Sequence, residues 1–419
     1  MRRLAVTLAV ALCAAGSARA ADPADADALS LADQAPVVPQ RAHDWQLSAE
    51  AARVHSVLRG AASPVEAARL SFDLRYDGTP AAGLRAVLSD RLDLTHSNTS
   101  PRESNVNTLR EAYLSWQKSA DEIVDVGRVN LRYGAGSGYN PTDFFKAGAL
   151  RSIVSPAPAS LRENRLGTVV LQGQKLWSAT SLTAAYSPRL GSTPSTDTFS
   201  LDFGATNPRH RWLIAASHKF SDAFNPQLLL YGGAGMSPHA GLNLSGLVND
   251  ATVAYLEVSA GKGRALVAQA LAQAEAEHWQ RRAALGLTTT TAFNLSLTAE
   301  AELNSAAPDR VQWDALRAGA PSNPLRLLGA AQTLQDLPVR QALFFYATWQ
   351  DLLVKHVDLS AFVRSDLVTH SRTQWLEARY HWDRVDAALQ WQLYSGGPGS
   401  VYATVPQQRS VQLVLRVFL

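Results

Sequence analysis

Arg128, Asn130 and Arg132 alternate along 126–134 and form the densest set of hydrogen-bonding side chains in the chain. In an extended strand, alternate residues share one face. Two guanidinium groups and a carboxamide on one face make a basic ladder that selects anions or binds sugar and carboxylate groups. A Gly-rich run follows, Gly134-Ala135-Gly136-Ser137-Gly138, and then Tyr139-Asn140-Pro141-Thr142-Asp143. It lacks the lysine and helix of a phosphate-binding loop. Its glycines are expected to let the chain turn sharply off the strand. Asn-Pro-Thr-Asp initiates a turn, and Asn140 and Asp143 are placed to cap a short segment at Phe144 and Phe145. The stretch 134–164 is therefore expected to fold inward as one loop.

Other polar groups recur at strand spacing. Tyr255 and Glu257 share one face, Glu300 and Glu302 another, and Trp375, Glu377, Arg379 and His381 a third. Such mixed charges orient dipolar solutes in a polar interior. Enzyme chemistry has little support. There is no G-x-S-x-G, no H-E-x-x-H and no His/Asp set at metal-ligand spacing. Ser137 between two glycines reads as flexible loop. No cofactor is expected.

The elements that hold these groups have period two. Leu70-Ser71-Phe72-Asp73-Leu74-Arg75-Tyr76 alternates cleanly, as do 293–303, 357–361, 374–382 and 387–393. Ten-residue alternating segments broken by turns mark a transmembrane antiparallel β-barrel. About 18 to 20 strands fit the chain, within the even-numbered range of such barrels. Arginine facing lipid costs about 2–4 kcal/mol at the midplane, so Arg128, Asn130 and Arg132 are expected to face the lumen. Long connections are expected at 95–108, 134–164, 188–196, 304–340 and 395–408, all on the extracellular side. Short turns are expected at 78–83, 118–122, 178–179 and 383–384. Trp45, Trp116, Trp177, Trp212, Trp349 and Trp382 are expected near the periplasmic rim, as an aromatic girdle. The ending 411–419 is apolar at every second position. It suits a last strand that pairs with the first and is read by the barrel-assembly machinery.

Residues 1–20 have the parts of a cleaved signal peptide: Arg2 and Arg3, an apolar run, and Ala18-Arg19-Ala20. Residues 21–44 are rich in Ala, Asp and Pro and are expected to be a flexible periplasmic leader. The barrel is then 45–419. Beyond residue 20 the chain carries 36 basic and 36 acidic residues. That balance, without basic runs, excludes a nucleic-acid partner. The one cysteine, Cys13, lies in the signal, so neither disulfides nor cysteine metal sites are expected.

The ending resembles the C-terminal signature of Gram-negative outer-membrane proteins. Gly127-Arg128, Tyr133-Gly134 and Asn140-Pro141-Thr142-Asp143 resemble alginate-export-like channels and related porin-like families. Glu111-Ala112-Tyr113-Leu114-Ser115-Trp116 and 160–167 extend that likeness. The resemblance implies an 18-strand-type channel in the outer membrane. Passive passage of small solutes is the expected function, tuned by the 134–164 loop and the basic ladder. Outer-membrane lipid and lipopolysaccharide are the expected surroundings, and no residue pattern marks an oligomer face. The alternative is an occluded barrel that assembles or exports surface polysaccharide, with 304–340 (Trp313, Leu325-Arg326-Leu327-Leu328) over the mouth.

Overall fold

The computed structural model describes residues 44–221 and 223–419. The expected signal peptide, 1–20, and most of the expected leader, 21–44, lie outside the described residues. From Trp45 onward the chain forms 18 antiparallel strands in one closed sheet. The strands are β1 (Trp45–Leu58), β2 (Val65–Ala81), β3 (Leu84–Ser97), β4 (Ser100–Ser119), β5 (Glu122–Val129), β6 (Thr168–Leu176), β7 (Thr180–Ser187), β8 (Arg211–His218) and β9 (Gln227–Gly233). They continue as β10 (Met236–Asn249), β11 (Thr252–Gly263), β12 (His278–Thr290), β13 (Leu295–Asn304), β14 (Gln341–Trp349), β15 (Val357–Asp366), β16 (Ser371–His381), β17 (Val385–Ser395) and β18 (Gln407–Phe418). The ring closes where β1 pairs with β18, Ala51 opposite Leu415 and Arg53 opposite Leu413.

Period-two patterning becomes two different surfaces. Leu114, Val126, Leu171, Tyr186 and Trp212 follow one another across β4 to β8 in register. All five are 38–54% exposed on the outside of the barrel. A continuous apolar belt of this kind is stable against hydrocarbon, not water. The opposite faces are polar and buried. Glu50 sits across from Ser71 and from Arg416, and Ser71 from Asp93. The Glu50 carboxylate meets Arg416 at 2.6 Å, Arg69 at 2.7 Å and Arg91 at 2.9 Å. This network fastens the closing seam from inside, where a lone buried charge costs several kcal/mol.

Both ends of the barrel chain lie at one rim, which also carries the short turns. The opposite rim carries 130–167, 188–210, 264–277, 305–340 and 396–406. This is the loop asymmetry of outer-membrane barrels, so the two rims are termed inner and outer. Two expectations are corrected. The stretch 95–108 is not a long loop: β3 and β4 run on as a hairpin turning at 98–99. Its polar residues carry the strands past the apolar belt, where alternation of hydrophobicity stops but backbone pairing continues. Trp212 is the second residue of β8 and therefore lies at the outer rim. Trp45, Trp116, Trp177, Trp349 and Trp382 sit at the inner rim.

Short helices decorate the outer end: α1 (Pro158–Glu163), α2 (Phe203–Thr206), α3 (Leu266–Ala270), α4 (Arg310–Ala318), α5 (Asn323–Leu334) and α6 (Val401–Thr404). Asp309 caps α4 reciprocally with Gln312. Trp313 and Leu316 of α4, Leu327 of α5, Leu266 of α3 and Val401 of α6 make a second apolar core across the outer mouth. The Trp313 indole N–H donates to Gly399 O at 2.9 Å. Loops from three hairpins thus bury a shared surface that none buries alone.

Candidate functional site, the loop across the lumen

β5 stops at Val129, and the chain leaves the wall. Residues 130–167 cross the lumen and return to β6. The far wall holds the crossing. Glu257 on β11 accepts from Gly136 N–H at 2.5 Å and from the Thr142 hydroxyl at 3.0 Å. Asn140 Nδ2 reaches the same carboxylate at 3.4 Å. Glu300 on β13 accepts from Ser137 N–H at 2.5 Å, Gly138 N–H at 3.0 Å and Tyr139 N–H at 3.3 Å. The Tyr255 hydroxyl donates to Glu300 at 2.5 Å. Arg364 on β15 bonds Gly138 O and pairs with Glu302 at 3.0 Å. Consecutive peptide N–H groups form an anion cradle, and here the barrel's own carboxylates fill it. Gly134, at φ +88°, lies so close to Glu257 that a Cβ would strike the carboxylate. At Gly138 a Cβ would strike Glu302 and the Phe344 ring. Glycine is required because backbone and carboxylate touch.

Arg165 fastens the two legs of the loop together. Its guanidinium donates to Asn130 Oδ1 at 2.7 Å, Leu131 O at 2.6 Å and Asp143 at 2.8 Å. Asn130 Nδ2 in turn donates to Arg162 O at 3.0 Å. Arg162 donates to Gly134 O at 3.0 Å. Arg132 is exposed within the barrel, near the charges of Arg162, Glu111, Arg165 and Glu163. Enclosure by the barrel wall, which strips it of bulk water, and then the Arg162 charge lower its pKa. A guanidinium begins high enough to stay charged.

Arg128 does not share that face. It pairs opposite Ala112 and Val169, in the outward register of Leu114, Val126 and Leu171. β4 continues above the end of β5, and the loop 188–210 fills the resulting gap, Asn107 N–H donating to Thr198 O at 2.9 Å. Under that loop Arg128 donates to Gly167 O at 3.1 Å and Leu201 O at 2.5 Å, and it stacks on Phe203. The lipid cost is avoided by a covering loop that the strand period does not reveal.

The loop is also clipped to the outer lid. Asp336, beyond α5, accepts from the Tyr139 hydroxyl at 2.5 Å and from Arg282 at 3.0 Å, with Lys146 at 4.0 Å. Lys146 donates to Asn140 O at 2.8 Å, and Gly148 N–H to Thr333 O at 2.8 Å. Burial pushes the Lys146 pKa down. Burial works upward on Asp336, but Arg282 and Lys146 outweigh it and hold that carboxyl below its usual 3.8.

The remaining sequence-derived candidates lie elsewhere. Glu377 and Arg379 both face inward on β16, at 2.9 Å from one another, with Gln390 donating to Glu377 at 2.5 Å. His381 stands between Asp358 and Asp386 at 3.1 and 2.8 Å. Arg162, Arg165, Arg364, Lys146 and Asp336 escaped the strand-period reading. For Arg162 and Arg165 the signal was the Ser160-Leu161-Arg162-Glu163-Asn164-Arg165 motif, which held no period to interpret.

No family model matches the sequence, and no characterised relative matches it significantly. The fold is similar to solved porins at very low identity. Acinetobacter baumannii OccAB1 shares 9% identity over 90% of this chain and 96% of its own, with TM-score 0.57. A BenF-like porin from Pseudomonas fluorescens shares 11% over 90% and 98%, with TM-score 0.56. Pseudomonas aeruginosa OccK2 (OpdF), solved in complex with glucuronate, shares 9% over 90% and 97%, with TM-score 0.54.

Proposed function

We propose that the chain is an outer-membrane channel for passive passage of small solutes, with the 130–167 loop as its filter. The attachment of Gly136 to Tyr139 on Glu257 and Glu300 carries this reading. A filter needs an aperture that stays constant as solutes pass, and buried charge-assisted hydrogen bonds hold one. The exposed Arg132, with Arg162 beside it, favours a small organic anion. The peptide N–H dipoles aimed at Glu257 and Glu300 offset part of the field with which these two carboxylates oppose an anion. OccK2 was solved with glucuronate, an anion of that class. Arg128, placed under an outer loop, has no part in selection. The proposal needs neither cofactor nor energy coupling.

The apolar core of Trp313, Leu316, Leu327 and Val401 over the mouth favours a second reading, an occluded barrel that binds or assembles surface glycans. Single-channel recording of the refolded protein in a planar bilayer separates the two. Discrete steps with a reversal shift toward anions support the channel. Silence from folded, heat-modifiable protein supports the occluded barrel. Deleting 136–150 should raise conductance if this loop is the filter.

A further inference from the structure

The barrel wall has a notch. β4 starts at Ser100, but its pairing with β5 begins only where Ala112 faces Arg128. β6 starts at Thr168, β7 ends at Ser187 and β8 starts at Arg211. Toward the outer rim from these ends, the wall is completed by the 188–210 loop rather than by sheet. Between Leu190 and Asn207 this loop has one main-chain hydrogen bond to the rest of the chain among the described residues. It runs from Asn107 N–H, on the free edge of β4, to Thr198 O at 2.9 Å. A strand in a ladder is held by a repeating series of such bonds, and this segment is not.

Two arginines hold it instead. Arg128, in the outward register of β5, donates to Leu201 O. Arg151, from the loop that crosses the lumen, donates to Asp197 O at 2.8 Å, Ser200 O at 3.0 Å and Asn107 O at 2.7 Å. Reached from both faces, 195–202 stands in the wall itself. Both arginine side chains are more than nine-tenths buried, yet one carboxylate serves the pair. Asp202 lies 3.5 Å from Arg151, and Arg128 has no ion pair among the described residues. Neutral carbonyls compensate a buried charge only in part, and an anion would give the same N–H donors stronger bonds. The surroundings are apolar. Phe199 is 72% and Leu201 46% exposed, and Phe203 stacks on Arg128. Val129 and Leu131, next along the chain from Arg128, belong to the buried apolar cluster with Phe145 and Val170.

We infer that 195–202 is a displaceable shutter over a lateral port, through which amphipathic carboxylates pass between the outer leaflet and the lumen. The carboxylate takes the place of the loop carbonyls on Arg128 and Arg151. The tail lies along Phe199, Leu201 and Phe203 outside and along Val129 and Leu131 within. The inference rests on the channel reading of the same lumen and adds a second entrance to it. An acyl tail concentrates such solutes in the leaflet beside the notch, whereas small hydrophilic anions reach the lumen from water. Arg128 thereby gains a role separate from the filter.

The test bridges the shutter to β4. Beyond Cys13 the chain has no cysteine, so N107C/T198C can be oxidised without competing thiols. The refolded variant in lipid nanodiscs is photolabelled with a twelve-carbon carboxylate that carries a terminal diazirine, and peptides are read by mass spectrometry. With the pair reduced, label should concentrate on 126–134 and 195–203 above the background on the belt strand 281–289. Oxidation should lower it there at least fivefold, and reduction should restore it. R128Q/R151Q should show a similar loss, with heat-modifiability reporting its folding. The bridged and reduced forms of one protein need no such control. Chloride current in a planar bilayer should be the same in both forms. Labelling unchanged by the bridge, or no higher than the belt background, would overturn the port. A pair that cannot be bridged would overturn it too, since the shutter would not then lie against β4. Bridge-dependent labelling of protein that never conducts would sustain the port and count against the channel reading.

Discussion

The Glu257 carboxylate on the barrel wall accepts the Gly136 amide N–H of the crossing loop at 2.5 Å. With the parallel attachment of 137–139 to Glu300, it decides where the loop lies in the lumen. Each charge-assisted bond of this kind contributes about 1.5–3 kcal/mol. Glu257→Ala with Glu300→Ala should release the loop. Single-channel records should then show conductance raised severalfold with added flicker. Unchanged records would mean that the loop is held by its other contacts.

Arg132→Ala with Arg162→Ala should lower anion preference while the barrel stays folded. A reversal potential under a salt gradient that does not move would remove these two residues from selectivity.

Arg128→Ala is expected to behave differently. It removes hydrogen bonds to Gly167 and Leu201 and the stacking on Phe203, a loss of about 1–3 kcal/mol. Protease cleavage within 188–210 should become faster, with no change in ion preference. A changed reversal potential would place Arg128 electrically in the pore after all.

Glu50→Ala strips the shared partner from Arg69, Arg91 and Arg416. Uncompensated buried charge costs about 3–5 kcal/mol, and here it falls on the β1–β18 closure. The refolded yield of heat-modifiable barrel should drop sharply. Glu50→Gln should recover only part of it, because it restores hydrogen bonding without the charge.

The Asp336 clip has a defined pH dependence. Its folded pKa lies below 3.8, so the folded state binds its proton less readily than the unfolded chain does. The clip's contribution is therefore complete above the ordinary carboxylate range and is lost as pH falls through the folded value. Conductance noise assigned to the lid should be constant from neutral pH down to that range and rise only below it. Asp336→Asn should show the acid behaviour at neutral pH.

The period-two pattern, the turn residues and the placement of long connections were enough to establish a closed barrel and its polarity. They work because every strand faces lipid on one side and a polar lumen on the other, so the chemistry is written locally. They also singled out the 134–164 stretch and the lumen carboxylates Glu257, Glu300 and Glu302. Strand length outside the apolar belt was not legible, since backbone pairing continues at 95–108 without hydrophobic contrast. The rim at which Trp212 lies depended on an exact strand count before it. Which carboxylate meets which amide was also beyond reach. Glu257 and Gly136 are joined only by closing the barrel, and the Gly-rich run carries no mark of its acceptors. Arg128 shows the same limit most clearly. Its strand face is set by local alternation, but whether that face meets lipid depends on a loop more than seventy residues later in the chain, Leu201 being 73 positions away. Local periodicity determines what each strand can face, and only long-range packing determines what covers it.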